Sequence, residues 1–281
     1  MTNSKKHLVT FGKIIGFIAS WILLVAICSL PALDQFSFLS NNAALLRLWW
    51  ELLPMLGTLL ITGVFVWLIE KNRIKVSLIK NPLRNTLLGL IFGCAWLGGI
   101  LLFLFLIGVL RLGDNNAISY LAIWFLAALL NVIMQEYLVR GYLFSLLKKQ
   151  YNTVVAVIIT TIFFTAMHGG VFEAGIVAVL NVITMSVFVS LLCVYTGSLL
   201  APIIVHFIWN GIGCIVFGVV SLAEDYPNIW NCTLTGNSLI TGGPAKIEGS
   251  IIVLFMNIIL IIVMEFLLKR QRDVAYRRAV K

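Results

Sequence analysis

The sequence predicts an all-α polytopic membrane helix bundle, with about eight transmembrane helices and both termini cytoplasmic. Three observations carry that expectation. Hydrophobic residues make up 61% of the chain and charged residues 11%, and the mean hydropathy of +1.05 lies far outside the range of soluble globular domains. The apolar residues are gathered into long runs, and about 20 predominantly apolar residues suffice for a helix to span the hydrocarbon core. Lysines and arginines fall between the runs in alternation, as they do in membrane proteins of fixed topology. One membrane domain over residues 1–281 is the simplest division.

Eight segments meet the length and composition requirement, near 12–32, 49–69, 86–110, 117–146, 153–168, 174–195, 198–219 and 249–268. The start, MTNSKKHLVTFGK, resembles a signal peptide. The run behind it is long, lacks an A-x-A-like cleavage site and is followed by many more spans, so it reads as the first transmembrane helix. The fourth segment is long enough to tilt or to project from the bilayer, and the fifth is short. Lys5, Lys6 and Lys13 precede the first span, and Lys71, Arg73, Lys75, Lys80 and Arg84 fill the second connection. Lys148 and Lys149 sit in the fourth connection, and Lys269, Arg270, Arg272, Arg277 and Arg278 close the chain. With eight spans all of these lie on one side, the cytoplasmic one.

The opposite side receives the longest connection, Ala223 to Glu248, with Glu224, Asp225, Pro227 and Asn231, which is placed to cap a site from outside. The net charge of +9 is thus topological, and no nucleic-acid partner is expected. The five cysteines form no C-x-x-C pair, and four lie within apolar runs, which argues against a disulfide framework or a thiolate zinc site. Trp49, Trp50, Trp67, Trp124, Trp209 and Trp230 lie mostly near span ends and read as interfacial anchors. Gly98, Gly99 and Gly211 to Gly213 read as places of close helix packing. No internal repeat is evident, which disfavours a transporter.

Polar residues inside the spans stand out against this background. The stretch NVIMQEYLVR, Asn131 to Arg140, puts Gln135, Glu136 and Arg140 in an otherwise apolar run. A charge at membrane depth costs roughly 2.5 to 3.5 kcal/mol on insertion scales, so such residues usually face the bundle interior and mark a site. Glu136 and Arg140 are four apart, share a face and can pair. His168 in FFTAMHGG, and His206 and Asn210, also four apart, complete the set. A carboxylate, two imidazoles and an amide permit water activation by a general base and stabilisation of a tetrahedral oxyanion, the chemistry of amide or ester hydrolysis. The alternative is zinc on His168, His206 and Glu136 with a water as fourth ligand. H-E-x-x-H is absent, so no metal or other cofactor is expected, with zinc the one possibility.

These residues resemble the CAAX-protease and bacteriocin-processing (CPBP, or Abi) family of intramembrane endopeptidases. Its series E-E-x-x-x-R, F-x-x-x-H and H-x-x-x-N on successive membrane helices is similar to Gln135–Arg140, Phe164–His168 and His206–Asn210. Thr196, Gly197, Ser198 and Leu199 with Pro202 are similar to family members as well, and the resemblance covers roughly 120–215, helices four to seven. It implies that the first glutamate of the pair and the first histidine activate water, and that the last His and Asn form an oxyanion hole. By position those roles fall on Gln135, His168, His206 and Asn210.

One departure sits at the first of these. Gln135 carries an amide, which cannot take a proton from water at neutral pH. Two explanations stand: a deliberate Glu-to-Gln change, favoured because every other motif position is present, or a natural member that binds peptides without cutting them. Glu136 as substitute base is a further option, although it points about 100° away around the helix. The resemblance implies a membrane-associated peptide substrate, a prenylated tail or a bacteriocin or signalling-peptide precursor, and residence in a bacterial plasma membrane. Its alternative is a non-catalytic peptide-binding or bacteriocin-immunity protein.

Overall fold

The structure, a computed structural model, describes residues 3–29, 41–221 and 225–279. Eight apolar helices follow one another: α1 (Asn3–Cys28), α2 (Ala43–Ile69), α3 (Pro82–Leu106), α4 (Leu121–Gln150), α5 (Thr153–Met167), α6 (Ile176–Thr196), α7 (Leu200–Val216) and α8 (Ile251–Ala279). The expected all-α polytopic bundle is what is observed. Among the described residues six helices are long and apolar enough to cross a membrane, while α5 and α7 are shorter. Residues 30–32, at the end of the first expected span, and Ala223 and Glu224 of the long connection lie outside the described residues.

Two local features depart from expectation. Lys148 and Lys149 belong to the last turn of α4 rather than to a connection. Lysine is a good helix former, and a cation is favoured near the negative end of the helix dipole. The connections around α3 and α8 also carry two-residue strands, β1 (Leu110–Arg111) and β2 (Thr233–Leu234), which pair antiparallel with Leu110 opposite Leu234. Asn116 extends the tie, donating from its side-chain amide to the Asn228 carbonyl and to Asn231 Oδ1, each at 2.9 Å.

Within the bundle the chain divides into two compact units. One comprises Met1–Val76 with Ser119–Ala156, and the other Ser77–Ile118 with Val157–Lys281. The first is built on α1, α2 and α4. Phe17, Phe65 and Tyr142 form its aromatic centre, with ring centroids 4.8 to 5.3 Å apart. Beside it the buried Glu70 carboxylate accepts from Lys13 Nζ at 2.7 Å and from the Tyr142 hydroxyl at 3.1 Å. The carboxylate thus meets both a counter-charge and a hydroxyl donor.

The second unit is organised by close approach of α3 to α7. A Cβ on Gly89 would lie 2.7 Å from Ile204 Cβ and 3.2 Å from Ala201 Cα; one on Gly93 would lie 2.6 Å from Ile208 Cδ1 and 3.3 Å from Val205 Cα. The two glycines are four apart and face α7 together, the small-xxx-small arrangement that lets membrane helices touch. One turn earlier, fully buried Asn85 donates to the Thr196 carbonyl and to Ser198 Oγ, at 3.3 and 3.1 Å. That pins the turn at Gly197, whose φ of +69° suits glycine, just before α7 begins. On the far side Asn181 of α6 donates to the carbonyls of Glu248 and Ser250, at 2.8 and 2.9 Å, holding the entry to α8.

The glycines that stand out in the sequence behave differently. Gly98 would meet nothing within 4 Å, Gly211 only the Phe207 ring of its own helix, and Gly99 only Met256 Cε. Gly213 sits against Val220 and Leu97. Trp209 and Trp124 are buried rather than interfacial, and Trp209 stacks on Trp96 at 4.1 Å with an interplanar angle of 16°. Trp67, by contrast, is exposed as an anchor should be. Gly93→Leu is expected to destabilise the fold by about 1–3 kcal/mol through overpacking. Thermal melting in detergent checks this, with Gly98→Leu expected to leave the midpoint unchanged or raised.

Candidate active site

Both helices that carry two-residue motifs change pitch at the motif. α4 is α-helical as far as Glu136 and π-helical over Tyr137–Leu143, with the Phe144 N–H bonded five residues back to the Val139 carbonyl. α7 is α-helical as far as Phe207 and π-helical over Ile208–Val216. Wide turns of this kind are frequent at functional positions, but they do not by themselves mark the motifs, since α2 and α3 carry them as well, at Phe65–Ile69 and Cys94–Gly98. The sequence pattern does not reveal them.

On α4, Glu136 and Arg140 form an ion pair at 2.6 Å with no side-chain exposure at either partner. The pairing expected from their spacing is present. It also bears on Glu136 as substitute base, because that carboxylate is already committed to a guanidinium. Gln135, half-buried, faces another way. Its Nε2 donates to Asn131 Oδ1 at 2.7 Å, and Asn131 Nδ2 donates in turn to Glu51 Oε2 of α2 at 2.9 Å. Arg47 lies 3.3 Å from the other oxygen of Glu51. Neither Asn131 nor Glu51 is among the site residues expected from the sequence. The signal is available in the four-residue spacings Asn131–Gln135 and Arg47–Glu51, each of which puts two polar groups on one helix face.

In the other unit, buried Phe164 gathers the histidines. Its ring centroid lies 4.4 Å from that of His168 and 6.1 Å from that of His206. His168 stands just past the end of α5, its Nδ1 2.8 Å from the Phe164 carbonyl. A carbonyl only accepts, so Nδ1 carries the proton and the lone pair is on Nε2. In α7 the buried Asn210 side chain donates to Nε2 of the equally buried His206 at 3.3 Å. His206 then carries its proton on Nδ1, and the Asn210 amide has a second N–H. One imidazole thus has its basic nitrogen defined and the other imidazole is grouped with an amide as donors. That division suits a base on one side and oxyanion stabilisation on the other.

His168 also lines a cavity of about 450 Å³, together with Gly169, Gly170, Ala178, Ser221 and Glu248. Glu248 Oε2 accepts from the Ser221 backbone N–H at 2.9 Å. The connection between α7 and α8 therefore contributes to the lining of this cavity, and it brings a carboxylate that no motif in the chain marks out. Glu173, a candidate for the rim by its place after His168, is exposed. Among the described residues no group of three or more His, Cys, Asp or Glu side chains is placed to hold a metal.

Residues 117–212 match the family described as Type II CAAX prenyl endopeptidase Rce1-like. The stretch therefore bears out the resemblance carried by the three motifs, and the family it points to is one of intramembrane proteases, which are hydrolases. No match is found among curated proteins or among solved structures.

Removing one member of the Glu136–Arg140 pair strands a buried charge. Glu136→Ala is expected to cost about 3–5 kcal/mol, while the double change Glu136→Leu with Arg140→Met recovers much of that loss. Melting midpoints of the two variants in detergent, relative to the parent, check the expectation.

Proposed function

We propose that the chain is an intramembrane endopeptidase of the CAAX-prenyl type, acting on a membrane-associated peptide such as a prenylated tail or a bacteriocin or signalling-peptide precursor. The observation that carries this is the His206–Asn210 pair, hydrogen-bonded at 3.3 Å and buried one turn apart on a helix of the matched stretch. In the proposed reaction a carboxylate at position 135, with His168, takes a proton from water as the water oxygen attacks the scissile carbonyl. His206 and Asn210 donate to the oxyanion, and collapse breaks the C–N bond as the proton passes to the leaving nitrogen. What supports joint action of the α4 residues with the histidines is the motif series itself, which falls within residues 117–212.

With Gln135 as it stands the proton acceptor at that position is missing, and the sequence is proposed to be inactive or strongly impaired. The membrane is proposed to be a bacterial plasma membrane, with both termini cytoplasmic and eight crossings, as the lysine and arginine distribution supports. No cofactor is needed for this chemistry; zinc on His168, His206 and Glu136 would require Glu136 to leave Arg140.

One observation favours a second reading, a peptide-binding protein that does not cut. The Gln135 amide is hydrogen-bonded into its surroundings rather than tolerated by them. The two readings separate in reconstituted vesicles with a prenylated reporter peptide. The endopeptidase reading expects Gln135→Glu to create cleavage, and His168→Ala in that background to reduce it by about 10²- to 10⁴-fold. Peptide binding without cleavage in the Gln135→Glu protein would establish the second reading.

A further inference from the structure

The hydrogen bonds around residue 135 have a direction, and the direction follows from chemistry. Glu51 is buried and has Arg47 beside Oε1 at 3.3 Å, so it stands as a carboxylate with acceptors only. The Asn131 amide that meets Oε2 at 2.9 Å must present its nitrogen there. Asn131 Oδ1 is then the atom turned toward residue 135, and it requires a donor. Gln135 Nε2 supplies one at 2.7 Å. What remains of the glutamine is Oε1, buried and without a hydrogen-bond partner among the described residues. A buried amide oxygen left in this way is destabilising until a donor meets it, and a peptide N–H or a water would meet that need.

A glutamate side chain in the same place would bring a carboxylate oxygen against the Asn131 oxygen, two acceptors with no hydrogen between them. The amide of Asn131 is free to turn only if Glu51 no longer demands its N–H groups. We propose that Arg47, Glu51 and Asn131 are positioning residues that fix the direction in which the side chain at 135 donates and accepts, and that in this chain they select an amide there. The proposal rests on residue 135 belonging to the site, as the functional reading has it. With Glu51→Gln the relay can reverse: the amide introduced at position 51 would donate to Asn131, and Asn131 to a carboxylate at 135.

The test is a cycle of four full-length proteins, the parent, Glu51→Gln, Gln135→Glu and the double variant, each followed by thermal melting in detergent and by cleavage of a farnesylated reporter peptide in vesicles. Each single change is expected to lower the melting midpoint, and the double variant to regain at least about half of the summed loss, because residues in one hydrogen-bond network are not additive. Cleavage by the Gln135→Glu protein is expected to rise at least about tenfold on adding Glu51→Gln, a gain that a merely structural Glu51 would not produce. Additive losses of midpoint would overturn the relay, whether or not the variants cleave. Coupled midpoints with no cleavage in any variant would leave the relay standing and remove the endopeptidase reading instead.

Discussion

A charge or an unmatched polar group inside an apolar bundle costs several kcal/mol unless another group answers it, and the Glu136–Arg140 pair is where this constraint is felt most. Both side chains are fully withdrawn from solvent and meet at 2.6 Å. The same rule accounts for the buried carboxylates Glu70 and Glu51 of that unit. Glu70 is met by Lys13 and Tyr142, and Glu51 by Arg47 and Asn131. Once these partners are assigned, the orientation of α4 relative to α1 and α2 follows, because turning α4 about its axis would strand several of them at once.

In the other unit, position comes from contact rather than charge. Gly89 and Gly93 let α3 lie against the backbone of α7, Asn85 clamps the turn before α7, and the stacked Trp96 and Trp209 fill the space beside it. His206 and Asn210 inherit a fixed place from that packing. His168 stands past the end of α5 beside the Phe164 carbonyl and ring, where glycines and the connection between α7 and α8 form a cavity. On the proposed function, a donor pair fixed by packing suits the task of holding an oxyanion still.

The helices are legible in the sequence because length and hydropathy are properties of single segments. Their eight positions, and the polar residues within them, follow from counting. What cannot be read that way are features that need a partner. Nothing in the spacing of Gly89 and Gly93 says that they touch Ala201 and Val205, whereas the more conspicuous Gly98 faces open space. The π turns at Tyr137 and Ile208 leave no mark in composition. Asn131 looks like the ordinary boundary of a polar stretch until Glu51, eighty residues earlier, supplies the reason for it. Trp209 departs from its expected place as an anchor because nearness to a span end says nothing about which way a ring points.

The proposed function requires that the polar groups of α4, α5 and α7 be those a membrane-associated peptide meets. Photo-crosslinking measures this without requiring turnover: a prenylated peptide with a photoreactive residue next to its modified cysteine is irradiated in vesicles with the unaltered chain, and the adducts are mapped. The account predicts labels around Gln135–Arg140 and around His168 or His206–Asn210, suppressed by excess unlabelled peptide. Saturable labelling confined to other helices would contradict it.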